Sequence, residues 1–408
     1  MRVAYVTMLF PSASETFATG DVRALVARGI DLSVHSLRRA LPETPTLAVE
    51  REVARVPRTY NRGWRSLGRG FMVAMKRPRV AYDLLSAIVV RCASRPQHLV
   101  KSLILAPRVL ELFDALDRDR PDVVHAFWST YPTLVVYLVQ RHMSEVQTSV
   151  SFVAHDILAR YGFSRPVASK AGLVRTLASV NLRQVERWFG IPIDAMEIVY
   201  DGVDLEYIPP PTERVPRSIV TASRLVENKG VDQVIRALAH LREDWPDVTL
   251  RVLGDGPLLP QLRSLAGGLG VTDAVRFEGH VSHAELLQAM RGAEVMLFLS
   301  ETDYDRLPNV VKEGMACGCV CVVTDTDGID ELITHGETGF IVKRGDVAAA
   351  VRHVGDVFAG RVPVAELTHD AEEHIRRVFD RQVSVRRYHE LWADLVSRKQ
   401  PETSTPLR

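Results

Sequence analysis

From Ser218 onward the chain repeats one pattern, a short β-branched or apolar run followed by a stretch with helical spacing of its apolar positions. The runs are SIVTASRL, VTLRVLGDG, VRFEGHV, VMLFLS and VCVVTD. Such alternation predicts a parallel sheet with helices on both faces. Strands covered on both faces are expected to be apolar almost throughout, as these are. The first half shows the same pattern in RVAYVTM, LSVHSLR, VVHAF, TSVSFVAH, VRTLASV and MEIVYDG, with a long interruption after the second run. The fold class is therefore α/β, with two domains in succession. A chain of 408 residues, 46% of them hydrophobic, supports two sizeable cores.

The boundary is expected in DLEYIPPPTERVPR, residues 204–217, where four prolines disfavour both helix and central strand. This gives a first domain over 1–203, a linker over 204–217 and a second domain over 218–378. Residues 379–397, with VSVRRYHELWADLV, are expected to form one helix, and 398–408 a disordered tail.

A formal net charge of +1 gives no overall bias toward nucleic acid. The opening MRVAYVTMLFP is too short for a signal-peptide core and runs on into polar SASET, so it is expected to be a first buried strand. No run approaches the roughly 18 to 20 apolar residues of a membrane span. The expected location is the cytoplasm, with peripheral attachment to the inner face of the membrane left open. Cys317, Cys319 and Cys321 lie in ACGCVCVVTD without further Cys or His at zinc-ligand spacing. They are expected to be small strand hydrophobes, and no metal is expected.

The interruption, residues 51–110, is basic. It carries Arg51, Arg55, Arg58, Arg62, Arg65, Arg69, Lys76, Arg77, Arg79, Arg91, Arg95, Lys101 and Arg108 against Glu52 and Asp83, with Trp64, Phe71 and Met72 among the charges. It is expected to be a mostly helical insertion. Its cations fit a solvated face, a peripheral membrane surface, or a pocket for an anionic acceptor such as a lipid pyrophosphate. No nucleic-acid motif accompanies them.

Three segments carry candidate chemistry. Arg224 and Lys229 follow the run SIVTAS, at the end of a strand where open α/β sheets hold ligands. Two such cations can hold a diphosphate and neutralise the charge that grows on it as a leaving group, without a metal, although a surface pair would look the same. Gly254, Asp255 and Gly256 allow a tight turn and a close backbone approach to a base or ribose. They do not form a G-x-G-x-x-G fingerprint, so a dinucleotide is not expected. In ETDYDRLPNVVKEGMACG, Pro308 suits a helix start, with Asp305 in the loop before it and Glu313 inside the helix. The amides near Arg306, Leu307, Pro308 and Asn309 then form an anion site, and the two carboxylates can accept hydrogen bonds from sugar and ribose hydroxyls.

Taken together in their chain order, AHDI, VYDGVDL, SRLVENKG, the GDGP loop, VRFEGHV and Asp305-RLPNVVK-Glu313-GMACG resemble the retaining glycosyltransferase family numbered four, which includes sucrose synthase-like and mannosyltransferase enzymes. FPSASETF and LVARGIDLSVHSLR further resemble exopolysaccharide members of the colanic-acid type. The resemblance spans nearly the whole chain. It implies a GT-B fold of two facing Rossmann-like domains with a cleft between them, and a last helix crossing back to the first domain. It implies that Arg224 and Lys229 bind the donor diphosphate, Glu313 the ribose, Asp305 the transferred sugar and the Val281 segment the base. His155 would face the donor sugar, and Ser14, Glu15 and Thr16 would lie with it on the acceptor side.

The activity implied is transfer of a hexose from a nucleoside diphosphate sugar, a co-substrate rather than a cofactor, to a saccharide or lipid-linked acceptor. Anomeric configuration would be retained, with a donor phosphate oxygen taking the acceptor proton. No carboxylate nucleophile of the glycosidase kind is then required. Asp305 stands where the family usually has Glu, Arg306 where it often has Gly, and Gly314 for Ala. Two other functions remain: a nucleotide-sugar epimerase, distinguished by interconversion of the free donor, and a non-catalytic sugar-nucleotide-binding subunit of a partner transferase.

Overall fold

The computed structural model describes residues 1–12 and 16–398. The chain divides into two compact units, Met1–Asp201 with the segment from Ser384, and Gly202–Val383. Ser14 and Glu15 lie outside the described residues, as does the tail beyond 398.

The first unit is built on a seven-stranded parallel sheet. Its strands are β1 (Arg2–Thr7), β2 (Asp31–Ser36), β3 (Arg58–Thr59), β4 (Val123–Ala126), β5 (Gln147–Phe152), β6 (Leu173–Thr176) and β7 (Met196–Ile198), in the order β3-β2-β1-β4-β5-β6-β7. The second unit holds six parallel strands, β8 (Ser218–Ala222), β9 (Thr249–Leu253), β10 (Val275–Gly279), β11 (Val295–Phe298), β12 (Val320–Thr324) and β13 (Phe340–Val342), in the order β10-β9-β8-β11-β12-β13. Every residue of β8, β11 and β12 is buried, as continuous apolar runs require in a sheet covered on both faces. β10, at an edge, is buried only in part. Strand order reverses direction between β1 and β4 in one sheet and between β8 and β11 in the other. At such points the loops diverge and leave a crevice for a ligand.

The helix Arg381–Ser397 fastens to the first unit. Trp392 is fully buried and its indole N–H donates to Ser149 Oγ at 3.0 Å, while Tyr388 lies under the Arg175 guanidinium, 4.2 Å from the ring centroid. Arg175 in turn donates to Asp201 at 2.9 Å. This helix starts at Arg381 rather than at 379: Phe379 ends the preceding helix Val364–Val378, and the Asp380 carboxylate accepts the Gln382 N–H at 2.9 Å.

Of the cysteines expected in a strand, only Cys321 lies in β12; Cys317 closes the helix Asn309–Ala316 and Cys319 follows in the turn. All three are buried, and burial pushes each thiol upward, Cys319 to about 11. The basic insertion is helical from Trp64 only, in helices Trp64–Lys76, Pro78–Cys92 and Pro96–Asp119. The chain before Trp64 adds the short strand β3. Among the described residues no helix is long and apolar enough to cross a membrane.

Candidate functional site

The loops after β8 and β11 flank the reversal of the second sheet, and two of the sequence candidates meet there. Lys229 Nζ donates to both carboxylate oxygens of Asp305, each at 2.6 Å. The two side chains are only 14% and 16% exposed. Ser300, just past β11, donates its hydroxyl to Asp305 Oδ2 at 2.6 Å, and Thr326 Oγ1 donates to the Asp305 carbonyl at 2.8 Å. An ionised carboxylate offers about four acceptor sites, so three short bonds hold Asp305 in place and leave one open.

Glycine is required where these loops touch. Gly230 has φ +65°, and a Cβ built on it would sit 1.8 Å from the Leu299 carbonyl oxygen. Gly254 has φ +132°, and its Cβ would lie 1.9 Å from the Ser223 carbonyl oxygen. A Cβ on Gly256 would meet the Leu225 carbonyl oxygen at 2.3 Å. The loop after β9 thus lies directly on the loop after β8, joined by the Leu225 N–H to the Asp255 carbonyl at 2.9 Å. The Asp255 carboxylate turns back onto the Gly256 N–H at 2.7 Å. Arg224 projects into solvent and has no side-chain partner among the described residues.

Pro308 precedes the first turn of the helix Asn309–Ala316, which leaves the Asn309 and Val310 amides without a backbone acceptor among the described residues. The carboxamide oxygen of Asn309 accepts from Lys312 Nζ at 3.0 Å, and Lys312 is itself buried over the Phe379 ring. Leu307 is half-buried. The Arg306 side chain is buried and serves the loop rather than its rim. Its Nε donates to the Asp303 carbonyl at 3.2 Å, and Asp327 stands 3.8 Å from Nη2. Burial lowers the Arg306 pKa, and Asp327 and Asp303 oppose that shift. Glu313, in the second turn of this helix, meets His283 Nε2 at 2.8 Å. His283 opens the helix His283–Gly292, one step beyond the cap residue Ser282 and two beyond the half-buried Val281.

The remaining candidates lie in the first unit. Thr16 begins the helix Thr16–Ala27 and is exposed. His155 is exposed too, but it does not end a strand: β5 stops at Phe152, and His155 belongs to the first turn of the helix Ala154–Ala159. Its neighbour Asp156, not singled out from sequence, is fully buried, with the Ser129 N–H donating to it at 3.0 Å from the loop after β4. Burial raises the Asp156 pKa to about 7 against the pull of the Ser129 and Val153 amides. Ser300, His283 and Asp156 carried no local sequence signal. His283 and Asp156 act through partners about 30 residues away in sequence, Glu313 and Ser129, whereas Ser300 reaches Asp305 within its own loop.

Two parallel sheets flanked by helices, with a cation–carboxylate cluster at the reversal of the second, define the GT-B architecture. Residues 211–378 match the family model "Glycosyl transferases group 1". The HepE structure of Anabaena, crystallised with UDP, has the same fold, with a TM-score of 0.73 and 17% identity over 97% of this chain and 100% of that one. The putative colanic acid biosynthesis glycosyltransferase WcaL of Escherichia coli is 24% identical over 94% of this chain and 97% of its own length. A GDP-mannose-dependent alpha-(1-6)-phosphatidylinositol monomannoside mannosyltransferase of Mycolicibacterium smegmatis is 32% identical over 53% of this chain and 59% of its own. The chain thus spans less than two thirds of the length of that relative, and of others matched over the same region.

Proposed function

We propose that the protein transfers a hexose from a nucleoside diphosphate sugar to a saccharide or lipid-linked acceptor in polysaccharide or glycoconjugate synthesis, with retention of anomeric configuration. The observation that carries this reading is the Lys229–Asp305–Ser300 cluster at the reversal of the second sheet, where a ligand of an open α/β sheet sits. Around it stand the exposed Arg224, the Asn309 and Val310 amides, which have no backbone acceptor among the described residues, and glycine turns over which a nucleotide can lie close to the backbone.

Lys229 spends two N–H groups on Asp305 and keeps a third for a phosphate oxygen. Together with Arg224 it offsets the charge that develops on the departing diphosphate, so the reaction proceeds without a metal. Asp305, fixed by Lys229 and Ser300, offers its open acceptor site to a donor-sugar hydroxyl. Glu313, steadied by His283, offers its second oxygen to a ribose. Thr16 and His155 of the first unit are the acceptor-side groups. The names of the colanic acid and mannosyltransferase relatives, and the UDP in the Anabaena structure, support a sugar nucleotide as donor.

The test is a panel of UDP-, GDP- and ADP-sugars with excess chelator, following donor consumption and reading the anomeric configuration of the product by NMR. One donor should be consumed, product configuration should match that donor, and Lys229→Ala should remove turnover. Full turnover by Lys229→Ala would sink the diphosphate assignment, and an inverted product would sink retention.

A further inference from the structure

The helices of the basic insertion leave apolar side chains turned outward, and those of two helices converge. Trp64, 83% exposed, Leu67, Phe71 and Met75 recur at helical spacing along the outer side of the helix Trp64–Lys76. Val100, Leu103 and Ile104 do the same on the helix Pro96–Asp119. The two helices approach closely because Gly70 has no side chain: a Cβ there would lie 2.3 Å from the Pro107 carbonyl oxygen. Between them runs a groove of about 440 Å³, walled by Trp64, Leu67, Leu103, Ile104 and Pro107. Apolar surface of this extent is normally covered by something.

Two cations, Arg39 and Arg108, line the groove, and Arg38 and Lys101 stand near them in the chain. Arg39, just past the end of β2, lines it with its guanidinium laid on Gly63, where a Cβ would stand 2.3 Å from Nη2. Arg38 is adjacent and holds the same loop through its carbonyl, which accepts the Asn61 N–H at 3.1 Å. Lys101 Nζ lies over the Tyr131 ring, 4.4 Å from its centroid, near enough to Arg38 that burial and that neighbour lower its pKa. Arg38, Arg39 and Lys101 have no acidic partner among the described residues, whereas Arg108 at the base is satisfied by Glu111, Ser36 and Thr59. Three unpaired cations at the ligand-bearing end of a sheet, beside an apolar groove, complement a molecule with an anionic head and a hydrocarbon chain. A second copy of this face would bring like charges together.

We infer that the groove between helices Trp64–Lys76 and Pro96–Asp119 binds a phosphate-bearing amphiphile, its hydrocarbon chain against Trp64, Leu103 and Ile104 and its phosphate on Arg38, Arg39 and Lys101. Resting on the proposed function, this identifies the acceptor as a lipid-linked phosphate rather than a free saccharide.

Trp64 provides the readout, since a chain in the groove would shift its emission to shorter wavelength. Decyl phosphate, decyltrimethylammonium and inorganic phosphate are titrated as monomers in the absence of nucleotide, alongside phosphatidylglycerol vesicles. Five tryptophans emit, so Trp64→Phe identifies the reporter. Decyl phosphate should bind at least tenfold more tightly than the cation of equal chain length. Arg39→Glu should erase that preference, and Ile104→Glu, at an exposed position and verified as folded by circular dichroism, should weaken binding at least tenfold. Equal binding of both amphiphiles, binding of inorganic phosphate as tight as decyl phosphate, or a response to vesicles alone would each overturn the inference. Sugar-nucleotide consumption by the same preparation is scored separately, so an empty groove with intact donor turnover refutes this site and leaves the proposed function standing.

Discussion

Replacing Asp305 by Asn tests what the cation in the loop after β8 is for. The change keeps the shape and one acceptor for Lys229 but removes the charge that two 2.6 Å contacts now neutralise. At an effective dielectric near 20, opposite charges about 4 Å apart attract by about 4 kcal/mol, and these are closer. Lost desolvation cost and the hydrogen bond that Asn retains offset much of that, leaving a net loss of about 2 kcal/mol for a pair this well covered. In a domain of roughly 150–250 residues, that lowers the melting temperature by about 4–8 °C. The unneutralised ammonium then has only a ligand to pair with. A nucleoside diphosphate should bind Asp305→Asn about tenfold more tightly than wild type, which corresponds to about 1.4 kcal/mol. The assay is thermal unfolding with and without UDP or GDP, with the free nucleosides as controls. The variant should melt lower alone and gain more from the diphosphate, with the nucleosides inert. A gain no larger than that of wild type would refute the reasoning, because Lys229 would then not face the phosphates.

Three further outcomes follow from the geometry. Gly254→Ala forces a Cβ to 1.9 Å from the Ser223 carbonyl oxygen at φ +132°, so it should cost about 1–3 kcal/mol in thermal unfolding and weaken diphosphate binding; an unchanged melt would mean the turn yields freely. Asp156 binds its proton more tightly folded, with a pKa near 7, than unfolded near 3.9, so its penalty is small at pH 4, grows as pH rises and is complete above pH 7. Asp156→Asn should therefore gain stability relative to wild type at pH 8 and not at pH 4, and pH-independent behaviour would contradict the assigned cause. Trp392→Ala should cost about 3–5 kcal/mol by opening a cavity and removing the indole bond to Ser149, measured by denaturant unfolding of the full chain, and a loss under 1 kcal/mol would show that the last helix is not integral to that core.

The strands of the second unit are readable because burial on both faces demands unbroken apolar runs, and VCVVTD or VMLFLS fits little else. β3 is not readable: it is two residues, Arg58 and Thr59, paired only with Val34 and His35 at the sheet's edge, so no apolar pattern is imposed on it. β13 is nearly as short, at Phe340–Val342. In the site, Lys229 and Asp305 stand out individually by residue type and position. That they pair follows only from the adjacency of β8 and β11, which joins loops 76 residues apart. His283 meets Glu313 for another reason that the sequence does not show, the packing of helix His283–Gly292 on helix Asn309–Ala316. Arg306 looks like a ligand-facing cation from its neighbours, yet it is buried, because the carbonyl of Asp303 and the carboxylate of Asp327 give it partners inside the loop.

The chain leaves the first unit at Asp201 and rejoins it at Ser384. During synthesis the seven strands of that unit emerge long before the helix that completes its core, while every strand of the second unit is made before that helix arrives. Ser149, His125 and Arg175 must wait, their apolar surroundings uncovered, until Tyr388 and Trp392 leave the ribosome. The second unit can therefore finish folding first, and the unit made earliest closes last. A nascent chain stalled before residue 384 should be the form most in need of a chaperone, whatever sugar the finished protein handles.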